Sequence, residues 1–346
     1  MDTSIASILL LDGLTTGAIY ALLGLAIVLV FLVTRIIFIP QGEFVAYGAL
    51  TLAVLQTGKV PGTVWLLIIL AGVAGAMDAT AAWQRHRQAG AALMAGARTL
   101  VLPLVVAAVT AWAAPRHFPM VVQALLTICI VTSFGTLIYR VAFQSLADAS
   151  TLVLLIVSVG VHFAMTGLAL LFFGAEGFRN PSFWDVRYQL GAVALNGQTI
   201  IIGAVSLVLI VMLWLFFERT LYGKALRATA VNRLGARLMG ISAHKAGQLT
   251  LAMAALIGAL SGLLIGPTTT VFFDSGFLIG LKGFVAAVIG GLASYPATAI
   301  GALFVGIVES FGSFWASSFK EVIVFTLILP ILLWLSLTDK HAGEDH

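Results

Sequence analysis

The sequence predicts an all-α polytopic membrane protein. Three observations carry that reading. Of 346 residues, 61% are hydrophobic and only 9% charged, and the mean hydropathy is +1.10. A soluble domain averages about 25% charged residues. The apolar residues also fall in runs, many near the ~20 residues that a helix needs to cross a bilayer. The charge count of 18 basic and 14 acidic residues is too small to cover a globular surface, and the apolar content excludes a disordered chain. Cys129 stands alone, which excludes a disulfide framework or a cysteine metal cluster. A pI near 9.4 would suit nucleic acid, but the basic residues sit in short loops between apolar runs, as the membrane reading requires. Met1-Asp2-Thr3-Ser4 lacks the basic start of a cleavable signal peptide, so the first apolar stretch is expected to be retained.

In order, the apolar stretches lie near 5–33, 42–57, 62–77, 99–114, 119–138, 150–173, 200–217, 249–267, 276–293, 298–316 and 320–338. Several are too short for a full crossing, so ten or eleven transmembrane or re-entrant helices are expected, some of them broken. Eleven crossings put the chain ends on opposite sides. With the N-terminus outside and the C-terminus inside, twelve Lys/Arg fall inside (Arg35, Arg85, Arg87, Arg98, Arg140, Arg219, Lys224, Arg227, Arg233, Arg237, Lys245, Lys340) and five outside (Lys59, Arg116, Arg179, Arg187, Lys320). The positive-inside rule favours that orientation. Two loops are long: 174–198, outside and rich in aromatic and turn residues, and 218–248, inside and basic. Good helix formers without proline over Ala225–Ile241 predict one or two short surface helices there. A weak internal repeat pairs Ala21-Leu22-Leu23-Gly24-Leu25 with Ala259-Leu260-Ser261-Gly262-Leu263, and Phe44-Val45-Ala46 with Phe284-Val285-Ala286, an offset near 240 residues.

Soluble catalytic motifs are absent. No glycines are spaced G-x-G, and neither Gly58-Lys59 nor Gly223-Lys224 is followed by Ser or Thr, so no phosphate-binding loop is present. Of six scattered histidines only His162 lies deep in a span, where a hydrogen bond to a neighbouring helix is the plain reading over a metal ligand. Gly13 with Gly17, and Gly258, Gly262 and Gly266, form G-x-x-x-G steps that clear a helix face for a close neighbour. Gly266-Pro267 followed by Thr268-Thr269-Thr270 should end a helix at membrane depth. The ionisable residues in or near spans are the sharper signal, because a charge in hydrocarbon costs several kcal/mol unless it faces a partner or a cavity. They are Asp12, Glu43, Asp274, Lys282 and Glu309. Glu43 sits where a helix N-terminus favours a carboxylate, Lys282 and Glu309 can neutralise each other, and Asp12 and Asp274 fall near outer ends.

Three segments carry a family resemblance. They are Gly13-Leu14-Thr15-Thr16-Gly17-Ala18-Ile19-Tyr20-Ala21-Leu22 with Gly42-Glu43-Phe44; Tyr222-Gly223-Lys224-Ala225-Leu226-Arg227-Ala228-Thr229-Ala230-Val231-Asn232 through Gly240-Ile241; and Lys282-Gly283-Phe284-Val285-Ala286-Ala287-Val288-Ile289-Gly290-Gly291-Leu292-Ala293-Ser294 with Gly301 and Glu309. Together they resemble branched-chain amino acid ABC transporter permeases of the LivH type, over 5–58 and about 135–338. The resemblance implies a single permease domain over 1–346 in a bacterial inner membrane. It implies an importer of branched-chain amino acids, other amino acids, amides or urea. The implied partners are a second, homologous permease, two ATP-binding cassette subunits and a periplasmic substrate-binding protein; this chain binds no cofactor itself, ATP being held by the partner subunits. It further implies that the cytoplasmic loop 218–248 docks on the ATPase through Arg227, Asn232, Arg233, Arg237 and Gly240, the arginines meeting an acidic groove rim and Gly240 allowing a turn between two short helices. Gln41, Glu43, Asp274, Lys282 and Glu309 are the candidate pathway residues. The chain departs from the family at Ile37-Phe38-Ile39-Pro40-Gln41-Gly42, where an Asn and a His are missing, and in an apparent extra helical segment at 62–118. The rival readings are a self-sufficient channel or ion-coupled secondary transporter built on Glu43, Lys282 and Glu309, and an intramembrane enzyme, for which no nucleophile–base or metal set is present.

Overall fold

The computed structural model describes residues 3–190, 193–327, 329–331 and 333. Among them, eight helices are long and apolar enough to cross a membrane. These are α1 (Thr3–Thr34), α3 (Gly62–His86), α4 (Ala89–Ala113), α5 (Met120–Ile138), α6 (Thr151–Phe173), α7 (Gly197–Arg219), α10 (Ala243–Ile265) and α12 (Tyr295–Trp315). Two buried helices are shorter: α2 (Gln41–Gln56) and α11 (Ser275–Ile289). At 1.5 Å per residue they reach only about 24 and 22 Å, against a hydrocarbon core of about 30 Å. Two more, α8 (Leu221–Val231) and α9 (Arg233–Leu238), lie between α7 and α10. The last, α13 (Lys320–Thr326), is the start of the 320–338 span, of which 328, 332 and 334–338 lie outside the described residues. The fold is all-α and polytopic. Its small β-element is a hairpin in the 174–198 loop, β1 (Arg187–Leu190) antiparallel to β2 (Val193–Asn196).

Helix starts follow two local rules. Pro40, Pro61 and Pro119 stand immediately before α2, α3 and α5. A proline there removes no helical hydrogen bond and disfavours helix in the residue before it. Thr220, Asn232 and Ser242 cap α8, α9 and α10 by accepting from the backbone N–H of Gly223, Gly235 and Lys245. The break after α10 falls at Gly266-Pro267 as the sequence predicts, and Val271 then pairs with Phe178 in an isolated bridge.

Inverted symmetry organises the core. Helix α1 runs parallel to α11, with Tyr20 near Lys282, Gly24 against Gly283 and Val28 against Ala287. Helix α10 runs parallel to α2, with Gln41 bonded to Ala254, Gly258 against Phe44 and Gly262 against Val45. Meanwhile α1 and α12 pack antiparallel (Gly13 on Ile307, Gly17 on Leu303), as do α5 and α10 (Gly135 on Leu251, Gly247 on Tyr139). Helices α1, α2, α5 and α6 therefore form one repeat and α10, α11, α12 and α13 the other. Each repeat's first helix packs on the short helix of the other. Gly24 and Gly262, aligned by the sequence repeat, occupy the two equivalent crossings. A Cβ on Gly262 would lie 2.2 Å from the Val45 carbonyl oxygen, so only glycine permits that approach.

Candidate substrate pathway and coupling surface

The two short helices cross where they begin. A Cβ on Gly42 would fall 1.8 Å from the Gly276 carbonyl oxygen, so the backbones touch there. Just before this crossing, residues 35–40 are not helical. Their amides find local acceptors: Ile36 N–H donates to Thr34 Oγ1 (3.2 Å) and Ile39 N–H to Ser158 Oγ on α6 (3.0 Å). Unwound backbone at membrane depth is tolerated only where it is enclosed by protein or lines a wet cavity.

The candidate pathway residues fall into two groups around that crossing. Gln41 and Glu43, in the first turn of α2, are fully buried. Gln41 Nε2 donates to the Ala254 carbonyl (2.9 Å). Oε1 of Glu43 lies 3.0 Å from Nδ1 of His162, and both side chains are at least nine-tenths buried. Among the described residues no well-angled hydrogen bond reaches either Glu43 oxygen, so the two groups stand in close contact without an aligned hydrogen bond. The second group surrounds Lys282 in the middle of α11. Its Nζ lies 2.5 Å from Glu309 Oε1 on α12 and 3.0 Å from Glu321 Oε1 on α13, while Tyr20 O–H donates to Glu309 Oε2 (2.6 Å). One ammonium group thus serves two carboxylates.

This second group borders a cavity of about 790 Å³, together with Asp12, Arg179 and Asp185. Asp12 is exposed and receives Ser310 Oγ–H (3.1 Å). Asp274 does not line that cavity; it stands exposed at the N-cap of α11. Gln41 and Glu43 lie outside the lining as well. The Lys282–Glu309 pairing expected from the sequence is present, whereas His162, Tyr20 and Glu321 as partners were missed. His162 had one signal, being the histidine deep in a span. Another missed intramembrane charge is Asp78 on α3, one residue past the predicted apolar run. It receives Arg140 Nε–H (2.9 Å) and the Thr99 hydroxyl of α4, fastening the α3–α4 hairpin to the end of α5.

On the face where α1 ends and α10 begins, α8 rests on Leu29, Val33 and Ala246 through Leu226. Two expectations need correction here. The turn between the two short helices is made at Asn232, in an extended conformation (φ −144°). Gly240, in the left-handed region at φ +83°, makes the exit from α9 towards α10 instead. The arginines also have partners within the chain: Arg227 with Glu218 (2.7 Å), Arg237 with Asp148 (2.6 Å), and Arg233 with the Ala147 carbonyl (2.9 Å). The Arg237 guanidinium holds the Asp148 carboxyl below its usual range. Beside the exposed Lys224, Arg227 and Arg237, the segment also leaves apolar side chains uncovered: Tyr222, Val231, Leu234, Leu238 and Met239 are all exposed, Met239 to 83%.

Comparison with known proteins places this arrangement in a family. A family model described as "branched-chain amino acid transport system / permease component" matches residues 89–335, from the start of α4 onward. The high-affinity branched-chain amino acid transport system permease protein BraD of Pseudomonas aeruginosa is 30% identical over 215 residues, 60% of this chain and 70% of that protein. LivH of Escherichia coli K12 is 30% identical over 213 residues, 60% and 69% of the two chains. The probable branched-chain amino acid transport permease LivH of Methanocaldococcus jannaschii is 24% identical over 218 residues, 62% and 68%. With its family match spanning most of the chain and its helices long enough to cross a membrane many times, this protein belongs to the branched-chain amino acid transport permease family.

Proposed function

We propose that this chain is the transmembrane permease subunit of an ATP-driven importer for branched-chain amino acids or related small polar solutes. It pairs with a second permease of the same kind, takes its substrate from a periplasmic binding protein, and is driven by two ATP-binding subunits. The observation that supports this most directly, beside the family match, is the α8–α9 segment. A channel or ion-coupled transporter has no need of a capped two-helix segment with a bare apolar ridge, whereas a separate ATPase needs such a surface. The roles assigned to the arginines shift accordingly: Arg233 and Arg237 fasten the segment to the 144–150 loop, and Leu234, Leu238 and Met239 offer the docking contact. The N-terminus is assigned to the periplasm and the C-terminus to the cytoplasm. The α8–α9 face is then the basic, inner one, and the 790 Å³ cavity opens outward.

The test is uptake of radiolabelled leucine into proteoliposomes holding the complete transporter, with ATP inside. Wild type should accumulate leucine only with ATP. Leu238→Asp should insert normally but bind the ATP-binding subunits less well and lose substrate-stimulated hydrolysis. Accumulation by the isolated chain without ATP would instead establish the ion-coupled reading.

A further inference from the structure

Each short helix carries one buried ionisable side chain, and each of these is met by the last helix of its own repeat. On α2, Glu43 is met by His162 of α6 at 3.0 Å; on α11, Lys282 is met by Glu321 of α13 at 3.0 Å. Both contacts join a short helix to the last helix of its repeat, although His162 lies in the middle of α6 and Glu321 in the first turn of α13, and no sequence motif relates them. Helix α6 has few other fastenings to the core. Many of its residues are exposed, and its other side-chain hydrogen bonds to the rest of the chain reach the same stretch: Ile39 N–H to Ser158 Oγ, and Tyr47 O–H to the Met165 carbonyl (2.8 Å). At its other end, α6 begins beside Asp148, the partner of Arg237 in the proposed docking segment.

We infer that His162 is a positioning residue for transport: it holds the Glu43 carboxylate at the crossing of α2 and α11, as Glu321 holds Lys282 in the opposite repeat. The inference rests on the proposed importer function. A solitary buried carboxylate among apolar side chains gives up its charge or leaves its place. With the imidazole beside it, Glu43 stays at the broken start of α2, next to Gly276 and Gly280, where the two repeats touch. Asp274 is a second acidic group in the same neighbourhood, at the N-cap of α11, and the Phe277 ring covers the other face of the imidazole (centroids 4.8 Å apart). Movement of α6 by the docked ATPase would therefore be felt first at Glu43.

The decisive experiment is a double-mutant cycle in the complete reconstituted transporter, scored by leucine uptake, by molecules moved per ATP hydrolysed, and by assembled protein. His162→Ala should assemble, keep basal ATP hydrolysis, and lower uptake by about tenfold. His162→Gln, which restores a donor, should recover most of that loss. Because His162 acts through Glu43, the double variant His162→Ala/Glu43→Gln should be no worse than the poorer single variant. If the two losses multiply, or His162→Ala transports like wild type, the inference is overturned while ATP-driven uptake by wild type leaves the importer reading intact. Failure of both His162→Ala and His162→Leu to assemble would make the residue structural and overturn it too. If wild type shows no ATP-driven uptake, the functional reading falls and this inference with it.

Discussion

The two inverted repeats share a scaffold but treat their short helices differently. In the second repeat α11 is continuous from Ser275, with Ser275 Oγ accepting the Phe272 N–H (2.9 Å) just before it. At the 240-residue offset, Ser275–Gly280 corresponds to Arg35–Pro40, which is unwound in the first repeat. The sequences explain the contrast. Pro40 has no N–H and pushes Ile39 out of the helical region, and the β-branched run Ile36-Ile37 loses little by being extended. Arg35 itself sits in the left-handed region at φ 62°. The second repeat has Gly280 where the first has Pro40, so nothing prevents helix. One half of the molecule thus presents a rigid rod to the crossing and the other a hinge-like start held by side chains.

Substitution at the crossing should have the largest effect. Gly42→Val places carbon within bonding distance of backbone that no rotamer change can relieve, so little folded protein should be extractable from membranes. Native yield of this variant would refute the backbone contact between the repeats. Next in size is Lys282→Met, which leaves Glu309 and Glu321 facing one another without their cation. Removing one partner of a buried pair typically costs about 3–5 kcal/mol, and Glu309→Gln in the same chain should return part of that in a detergent melting experiment. Glu43→Gln should cost clearly less, because His162 has a neutral form that needs no counter-charge. Equal losses for the two would show that the repeats anchor their charges alike. The smallest contrast concerns Gly24→Ala and Gly262→Ala. At Gly262 the obstacle is a carbonyl oxygen; at Gly24 it is the Thr298 methyl at 2.7 Å, which a second change, Thr298→Ser, removes. Gly262→Ala should therefore lower stability by about 1–3 kcal/mol without rescue, and Gly24→Ala should be rescued.

Much of the architecture was legible because it is local. Hydropathy located the short spans 42–57 and 276–293 to within a few residues of α2 and α11, and Gly266-Pro267 marked the break it makes. Of the G-x-x-x-G glycines, Gly13, Gly17 and Gly262 coincide with close backbone contacts, while Gly258 and Gly266 meet the side chains of Phe44 and Asn180 first. Pairings between helices were harder to read. Helical periodicity gives the face a side chain occupies but not the helix it will meet, so Glu43 could be flagged without His162, and Lys282 without Glu321. Lys282–Glu309 was foreseen because both charges stood out in neighbouring spans. The partners of Arg233 and Arg237 within the chain, Ala147 and Asp148, could not be read because they lie in a loop some 86 and 89 residues away in sequence. The repeat itself was faint, since only the positions of closest approach constrain residue type.

The α3–α4 hairpin has no counterpart in the second repeat, where five residues (290–294) join α11 to α12. Its chain leaves one face of the membrane and returns to the same face, so everything downstream keeps its sign. A membrane chain is constrained by parity: one added helix would invert α5 to α13 and carry the α8–α9 surface to the opposite side of the membrane. Two added helices invert nothing. Asp78 and Arg140 then fasten the pair to the end of α5, and the helices that follow keep the direction they would have without it.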